Sequence, residues 1–207
     1  MDSSLLLNII LITMRKIAVF DFDGTITQKD TLLEFIKFSK GKWSFLKGFL
    51  YYSPLLVAYK LGLYPNWKIK QKIFAYYFKD MKYEVFCQLG FKFKEEINNI
   101  VKEAQIEKLT KHLEHGDTVY VISASIEEWI LPWCYDFGKI NVLGTKIEVI
   151  DGIITGKFQT KNCYGQEKVN RLLEKEPRRD SYYLYAYGDS KGDKEMFAFA
   201  DKSFLCK

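Results

Sequence analysis

Cysteine is scarce and scattered. The four residues, Cys87, Cys134, Cys163 and Cys206, form no Cys-x-x-Cys pair, so neither a zinc site nor a disulfide framework is indicated and a reducing, cytoplasmic setting fits. Histidine is rarer still. His112 and His115 lie three apart before Gly116, where stabilising a helix C-terminus is the expected role and metal binding the alternative. Acids are nearly missing from one stretch: between Lys37 and Lys82 there are ten lysines and a single acid, Asp80. Such a balance would attract a phosphorylated metabolite, anionic lipid or nucleic acid, with solvated lysines on amphipathic helices as the plainer explanation. There is no internal repeat, no low-complexity linker and no apolar run of spanning length. Ser3–Met14 is uncharged and mostly apolar, yet it is short for a span and has no basic leader. We take residues 1–14 as an N-terminal extension, with a small membrane anchor as the alternative.

What is present is the composition of a soluble globular chain: 207 residues, 48% hydrophobic and 28% charged. Aromatics reach 16%, with 16 Phe and 14 Tyr, so large packing surfaces are expected. Four short apolar runs have the look of buried parallel strands: Lys16–Phe20, Thr118–Ser123, Tyr182–Tyr187 and Ser203–Cys206. Helical patterns at Glu127–Phe137, Gln166–Lys175 and Lys194–Phe199 alternate with them, which predicts a doubly wound parallel α/β sheet. Val142–Phe158, centred on Asp151-Gly152, reads as an appended β-hairpin. Residues 31–115 break the alternation and read as helices interrupted near Gly41, Pro54, Gly62 and Pro65. The expected organisation is a core of 15–30 and 116–207 with a helical cap of 31–115 inserted after the first strand.

The first strand ends in Asp21-Phe22-Asp23-Gly24-Thr25. In an extended backbone residues two apart point the same way, so Asp21 and Asp23 converge at the carboxyl edge of the sheet, where such folds bind ligands. Gly24 permits the sharp turn that follows. A second acidic pair, Asp189 and Asp193, follows the strand Tyr182–Tyr187, although Asp193 alone could be a helix N-cap. Carboxylates from neighbouring strands would repel one another, and a divalent cation, Mg²⁺ for hard oxygen ligands in small number, would relieve this. Ser123-Ala124-Ser125 ends another strand, where a hydroxyl and backbone N–H groups would hold phosphate oxygens. Lys168, near a helix start, would neutralise a transferring phosphoryl group.

These pieces, in this order, resemble the four motifs of the haloacid dehalogenase superfamily, in its phosphoserine-phosphatase-like subgroup (subfamily IB), over residues 15–207. The resemblance implies a Rossmann-like core with a cap that closes over the site, and a Mg²⁺-dependent phosphomonoester hydrolase. It implies Asp21 as nucleophile forming an aspartyl-phosphate, and Asp23 as the acid that then activates water. Mg²⁺ would be held by Asp21, Asp23 through its backbone carbonyl, and Asp189, with Asp193 in support. Ser123 and Lys168 would bind phosphate, within a set that includes Gly24, Thr25, Ala124 and Asp30. Lys161 is a rival for the lysine motif. Asp30 stands where phosphoserine phosphatases carry the Glu that reads the substrate amine, and Gly24 where they commonly carry Ser.

The uncharged run Gly48–Tyr59, between Lys47 and Lys60, is expected to be a cap helix packed on its neighbours; the alternative is a surface that touches anionic lipid, with a small or amphiphilic phosphorylated substrate and a peripheral membrane location beside the cytoplasmic one. A non-catalytic or slow phosphoacceptor, similar to response-regulator receivers, is the alternative class. No nucleic acid is expected as a partner. Trp43, Trp67, Trp129 and Trp133 are expected in the packing.

Overall fold

The computed structural model describes residues 14–207; the expectation for the N-terminal apolar segment lies outside the described residues, Met14 excepted. Five parallel strands form the central sheet: β1 (Arg15–Phe20), β2 (Thr118–Ile126), β3 (Ile140–Thr145), β6 (Tyr182–Gly188) and β7 (Lys202–Leu205). Their order is β3-β2-β1-β6-β7. The chain steps outward from β1 to β2 and β3, then returns to the other side for β6 and β7. The strand order therefore reverses at β1, where Phe20 lies between Val121 and Tyr187. Ligands of doubly wound sheets bind at such a switch point, beyond the carboxyl ends of the strands.

Strand alternation divides β1 between two cores. Ile17 and Val19 pack with Val169 and Leu172 of helix α7 (Gln166–Lys175) and Met196 of α8 (Lys194–Phe199). Ala18 and Phe20 face the other way, into a core with Leu109 of α5 (Glu103–Glu114) and Ile130 of α6 (Glu127–Cys134). The sheet is thus covered by helices on both faces, as the alternation of elements predicts.

Between β1 and β2 run five helices: α1 (Thr31–Lys40), α2 (Lys42–Lys60), α3 (Asn66–Phe78), α4 (Tyr83–Asn98) and α5. Helix α5 packs on β1 and β2 and α1 also meets β2, while α2 and α3 pack on one another and α4 packs on α6. Their base is joined to the core by aromatic packing: Phe35 of α1 stacks on Trp129 of α6 at 4.6 Å between ring centroids. Helix α4 passes α6 so closely that a Cβ at Gly90 would overlap the Glu128 carbonyl, which explains a glycine in mid-helix despite its cost there.

Three expectations are corrected. Pro54 does not break a helix but lies inside α2. The carbonyl of Leu50, left without its i+4 N–H, accepts instead from the Ser53 hydroxyl at 2.8 Å. Val142–Thr145 is not hairpin: it belongs to β3, paired with β2, and the hairpin is β4 (Ile147–Ile150) with β5 (Ile153–Phe158). Its turn has positive φ at both Asp151 and Gly152, as a tight two-residue connection requires. Trp129 and Trp133 are fully buried, but Trp43 is 80% exposed and Trp67 half exposed.

Candidate active site

Asp21 is the first residue after β1, tied to its neighbour strand by an N–H bond to the Tyr187 carbonyl at 2.9 Å. Its Oδ1 lies 2.7 Å from the ammonium of Lys168, which also reaches Asp193 Oδ1 at 2.6 Å. All three side chains are buried. Burial is the largest influence on Asp21 and pushes its pKa up to about 7; Lys168 pulls it back, and Asp193 and Asp23 push it further up. Lys168 is itself raised: burial works against its charge, but the two carboxylates outweigh it. Lys161, the rival in the sequence, is exposed and lies outside this cluster, in an adjoining cavity beside Trp67 and Tyr164.

Asp23 points to different partners. Its Oδ1 accepts from the Thr31 N–H at 2.9 Å and the Thr31 hydroxyl at 2.6 Å, and its Oδ2 accepts from the Ser125 hydroxyl. Thr31 is fixed in turn by the Trp129 indole N–H at 3.1 Å. Burial raises the Asp23 pKa, as does Asp30, while Lys70, Ser125 and Thr31 lower it. Nothing local in the sequence marks Thr31 and Ser125 as partners of Asp23, although Ser125 sits in the Ser-Ala-Ser strand end. Only tertiary pairing of β2 with α1 brings these hydroxyls to one carboxylate.

Gly24 adopts φ +78°, and a Cβ there would overlap the Asp189 carboxylate. The missing side chain is what lets Asp189 approach. Thr25 is fully buried, with its hydroxyl 3.4 Å from Asp189 Oδ1. Asp193 does not cap α8 with its side chain. Its Oδ2 accepts from the N–H groups of Asp189 and Ser190 and from the Ser190 hydroxyl, at 3.1–3.2 Å. Both of its oxygens are therefore engaged. Burial, and then Asp193, raise the Asp189 pKa; Lys102, another residue the sequence does not mark, donates to the Gly24 carbonyl and pulls that pKa only partly back.

Oxygens of Asp21, Asp189 and Asp193 lie within 4.8 Å of one another. The donor set is hard carboxylate oxygen, crowded enough that each group opposes ionisation of the next, and a small divalent cation fits it. Of the three, Asp193 already has both carboxylate oxygens engaged by Lys168 and by the Asp189–Ser190 turn. The two histidines do not join in. Instead, His112 meets Asp117 at 2.7 Å and the Tyr187 hydroxyl at 2.9 Å, in the last turn of α5.

A cavity of about 300 Å³ opens over these residues. Its floor includes Asp21, Asp23, Ser123, Ala124 and Lys168; its cap side is Leu32, Leu33, Leu56, Ile69 and Ile73, with Lys70 as the cation there. Ser123 Oγ accepts from the Ser125 N–H at 3.1 Å. Asp30 lines the cavity too, but its Oδ1 is occupied by the N–H groups of Leu32 and Leu33, capping α1.

The chain as a whole is similar to several known proteins. The family model for haloacid dehalogenase-like hydrolases matches residues 18–198. Protein CicA of Caulobacter vibrioides is 30% identical over 189 residues, covering 90% of this chain and 83% of that protein. A histidinol-phosphatase of Neisseria meningitidis serogroup C is 31% identical over 118 residues, covering 48% of this chain and 53% of that one. Among solved structures, a phospho-aspartyl intermediate analogue of phosphoserine phosphatase shares the fold with a TM-score of 0.62 at 18% identity, over 93% of this chain and 87% of that one. The chain belongs to the haloacid dehalogenase-like hydrolases and shares the fold of the phosphoserine phosphatase structures.

Proposed function

We propose that the enzyme is a Mg²⁺-dependent phosphomonoester hydrolase that works through an aspartyl-phosphate on Asp21 and takes a substrate with an apolar leaving group. The observation that carries the mechanism is the buried ammonium of Lys168 set between Asp21 and Asp193 at the switch point of the sheet. An Asp21 oxygen attacks phosphorus and the bond from phosphorus to the leaving oxygen breaks. Asp23 supplies the proton to that oxygen, a task suited to a carboxyl whose pKa burial has raised. Asp23, now ionised, takes a proton from water as the water oxygen attacks the phosphoryl group, and Asp21 is released with inorganic phosphate. Lys168 and Ser123 hold phosphate oxygens, and the N–H of Ala124 lies beside them. Mg²⁺, held by Asp21 and Asp189 and the Asp23 carbonyl with Asp193 in support, would supply positive charge that lets two anions approach.

The leaving-group side of the cavity favours hydrocarbon. Five aliphatic side chains face it, and Asp30, at the position that reads an amine in phosphoserine phosphatases, commits its Oδ1 to capping α1. An aliphatic or amphiphilic phosphomonoester fits this wall better than phosphoserine. Against a slow phosphoacceptor stands Asp23, half-buried and hydrogen-bonded beside Asp21 in the cavity, a position suited to a general acid and base.

The test is hydrolysis of p-nitrophenyl phosphate by wild type and Asp21→Asn, each with Mg²⁺ and with EDTA, followed by a panel that pairs phosphoserine with alkyl phosphates. We expect Mg²⁺-dependent turnover that Asp21→Asn abolishes, and a preference for the alkyl esters. Normal turnover by the variant would sink the assignment of Asp21, and a preference for phosphoserine would sink the apolar leaving group.

A further inference from the structure

Helix α2 runs for 19 residues without an acid and is apolar on every side. Such a helix is ordinarily interior. Here Gly48 is its only buried residue. Trp43, Leu46, Leu50 and Val57, continued by Leu61 just past the helix end, recur at spacings of three, four and seven and so share one face. They are 80%, 52%, 75%, 57% and 69% exposed. Leu63, beyond them, is also exposed. Lys42 and Lys60 flank this stripe on one side and Lys47 on the other, all three exposed. The opposite side of the helix carries Leu56 and Tyr59, which wall the catalytic cavity.

An exposed apolar surface of this extent marks a site of contact. Its charge says with what. The rim is purely cationic, and two copies of the chain meeting through this face would set lysine against lysine with no acid to offset them. An anionic lipid surface complements it: the stripe enters the acyl boundary and the lysines stay with the headgroups. Among the described residues no helix is long and apolar enough to cross a membrane, so the contact is one of lying on the bilayer. We propose that α2 is an interfacial helix that seats the cap on an anionic membrane, so that the cavity walled by its inner face receives phosphomonoesters borne at that surface. The second half of this statement rests on the function proposed above; the membrane contact does not.

The test is co-sedimentation of the full chain with vesicles of phosphatidylcholine alone and of phosphatidylcholine mixed with phosphatidylglycerol. It would compare wild type, Trp43→Glu, Leu50→Glu and, as a control on α4, Phe91→Glu, with p-nitrophenyl phosphate turnover measured in parallel without lipid. We expect wild type to pellet with the anionic vesicles, less so at high salt, and partitioning to fall roughly tenfold or more in each α2 variant, since burial of a large apolar side chain is lost and a charge added. Phe91→Glu should bind as wild type does, and the soluble turnover of all four should agree. Failure of wild type to pellet would overturn the proposal. So would wild-type binding by Leu50→Glu, or a lipid-free dimer that Leu50→Glu converts to monomer, which would make a second copy the occupant. Vesicle binding without any phosphomonoester turnover would remove the catalytic proposal and leave the membrane contact standing.

Discussion

The ammonium of Lys168 lies 2.7 Å from Asp21 Oδ1, and both groups are almost completely shielded from solvent. A lone buried carboxylate there would be too costly to keep ionised, as the upward shift of Asp21 shows. The lysine offsets part of that cost, and because it also meets Asp193 at 2.6 Å it holds two acids in one fixed geometry. It joins the end of β1 to the start of α8 through a side chain from α7.

Removing that ammonium while keeping its bulk, as in Lys168→Met, would leave Asp21 a buried acid without its cation and strip the Oδ1 partner from Asp193. We expect a loss of about 3–5 kcal/mol in urea unfolding near neutral pH without Mg²⁺. Acidification should recover part of it as the carboxyls take up protons. Turnover should fall roughly 10²–10³-fold. A variant as stable and as fast as wild type would take Lys168 out of the site.

Gly24 and Asp189 form a second dependent pair. Wild type should be stabilised by about 3 kcal/mol when Mg²⁺ stands a hundredfold above its dissociation constant, seen as a higher melting temperature with Mg²⁺ than with EDTA. Asp189→Asn should lose most of that gain. Gly24→Ala should lose it as well, because the added Cβ would displace the Asp189 carboxylate and strain a residue at φ +78°. If Gly24→Ala kept the full Mg²⁺ shift, the close approach of Asp189 would have no bearing on the metal.

Glu128, at the base of the cap, gives stability a pH dependence. Its Oε1 accepts from the Tyr83 hydroxyl at 3.3 Å, but its Oε2 is buried without a partner. Burial raises its pKa from 4.5 to about 7. A carboxyl raised on folding contributes its stability below the unfolded value and loses it as pH climbs through the folded one. For Glu128 that window runs from 4.5 to about 7, and the loss is at most about 3 kcal/mol. Urea unfolding across this range should show wild type weakening relative to Glu128→Gln, with the two alike at the acidic end. Parallel curves would mean that folding does not shift the Glu128 carboxyl.

Much of the fold is legible in the sequence because buried parallel strands and amphipathic helices leave different periods. β1 and β6 are marked to within a residue, α7 and α8 at their full extents, and the Asp151-Gly152 turn by its chemistry. β3 escapes because Lys146 alone separates it from β4. A continuous run of strand-forming residues does not say which part pairs with the sheet and which with the hairpin. Pro54 misleads because a side chain, Ser53, satisfies the carbonyl that a proline orphans. Trp43 and Trp67 mislead because hydrophobicity predicts burial only when something is available to bury against.

The candidate site divides in the same way. Asp21, Asp23, Gly24, Asp189 and Asp193 stand out because two-residue spacing at a strand end and glycine at a turn are local properties of the chain. Which acid faces which partner is not local. Asp23 meets Thr31 and Ser125, which are 8 and 102 residues away, while Asp21 meets Lys168 and Asp193. The outward face of α2 is likewise undecided by an apolar helix of any period. The sequence determined the elements, their order and the chemistry carried at their ends, since these depend on residues a few positions apart. The tertiary structure decided which side chains share a proton, a charge or a surface, because that follows from sheet order and helix packing across the whole chain.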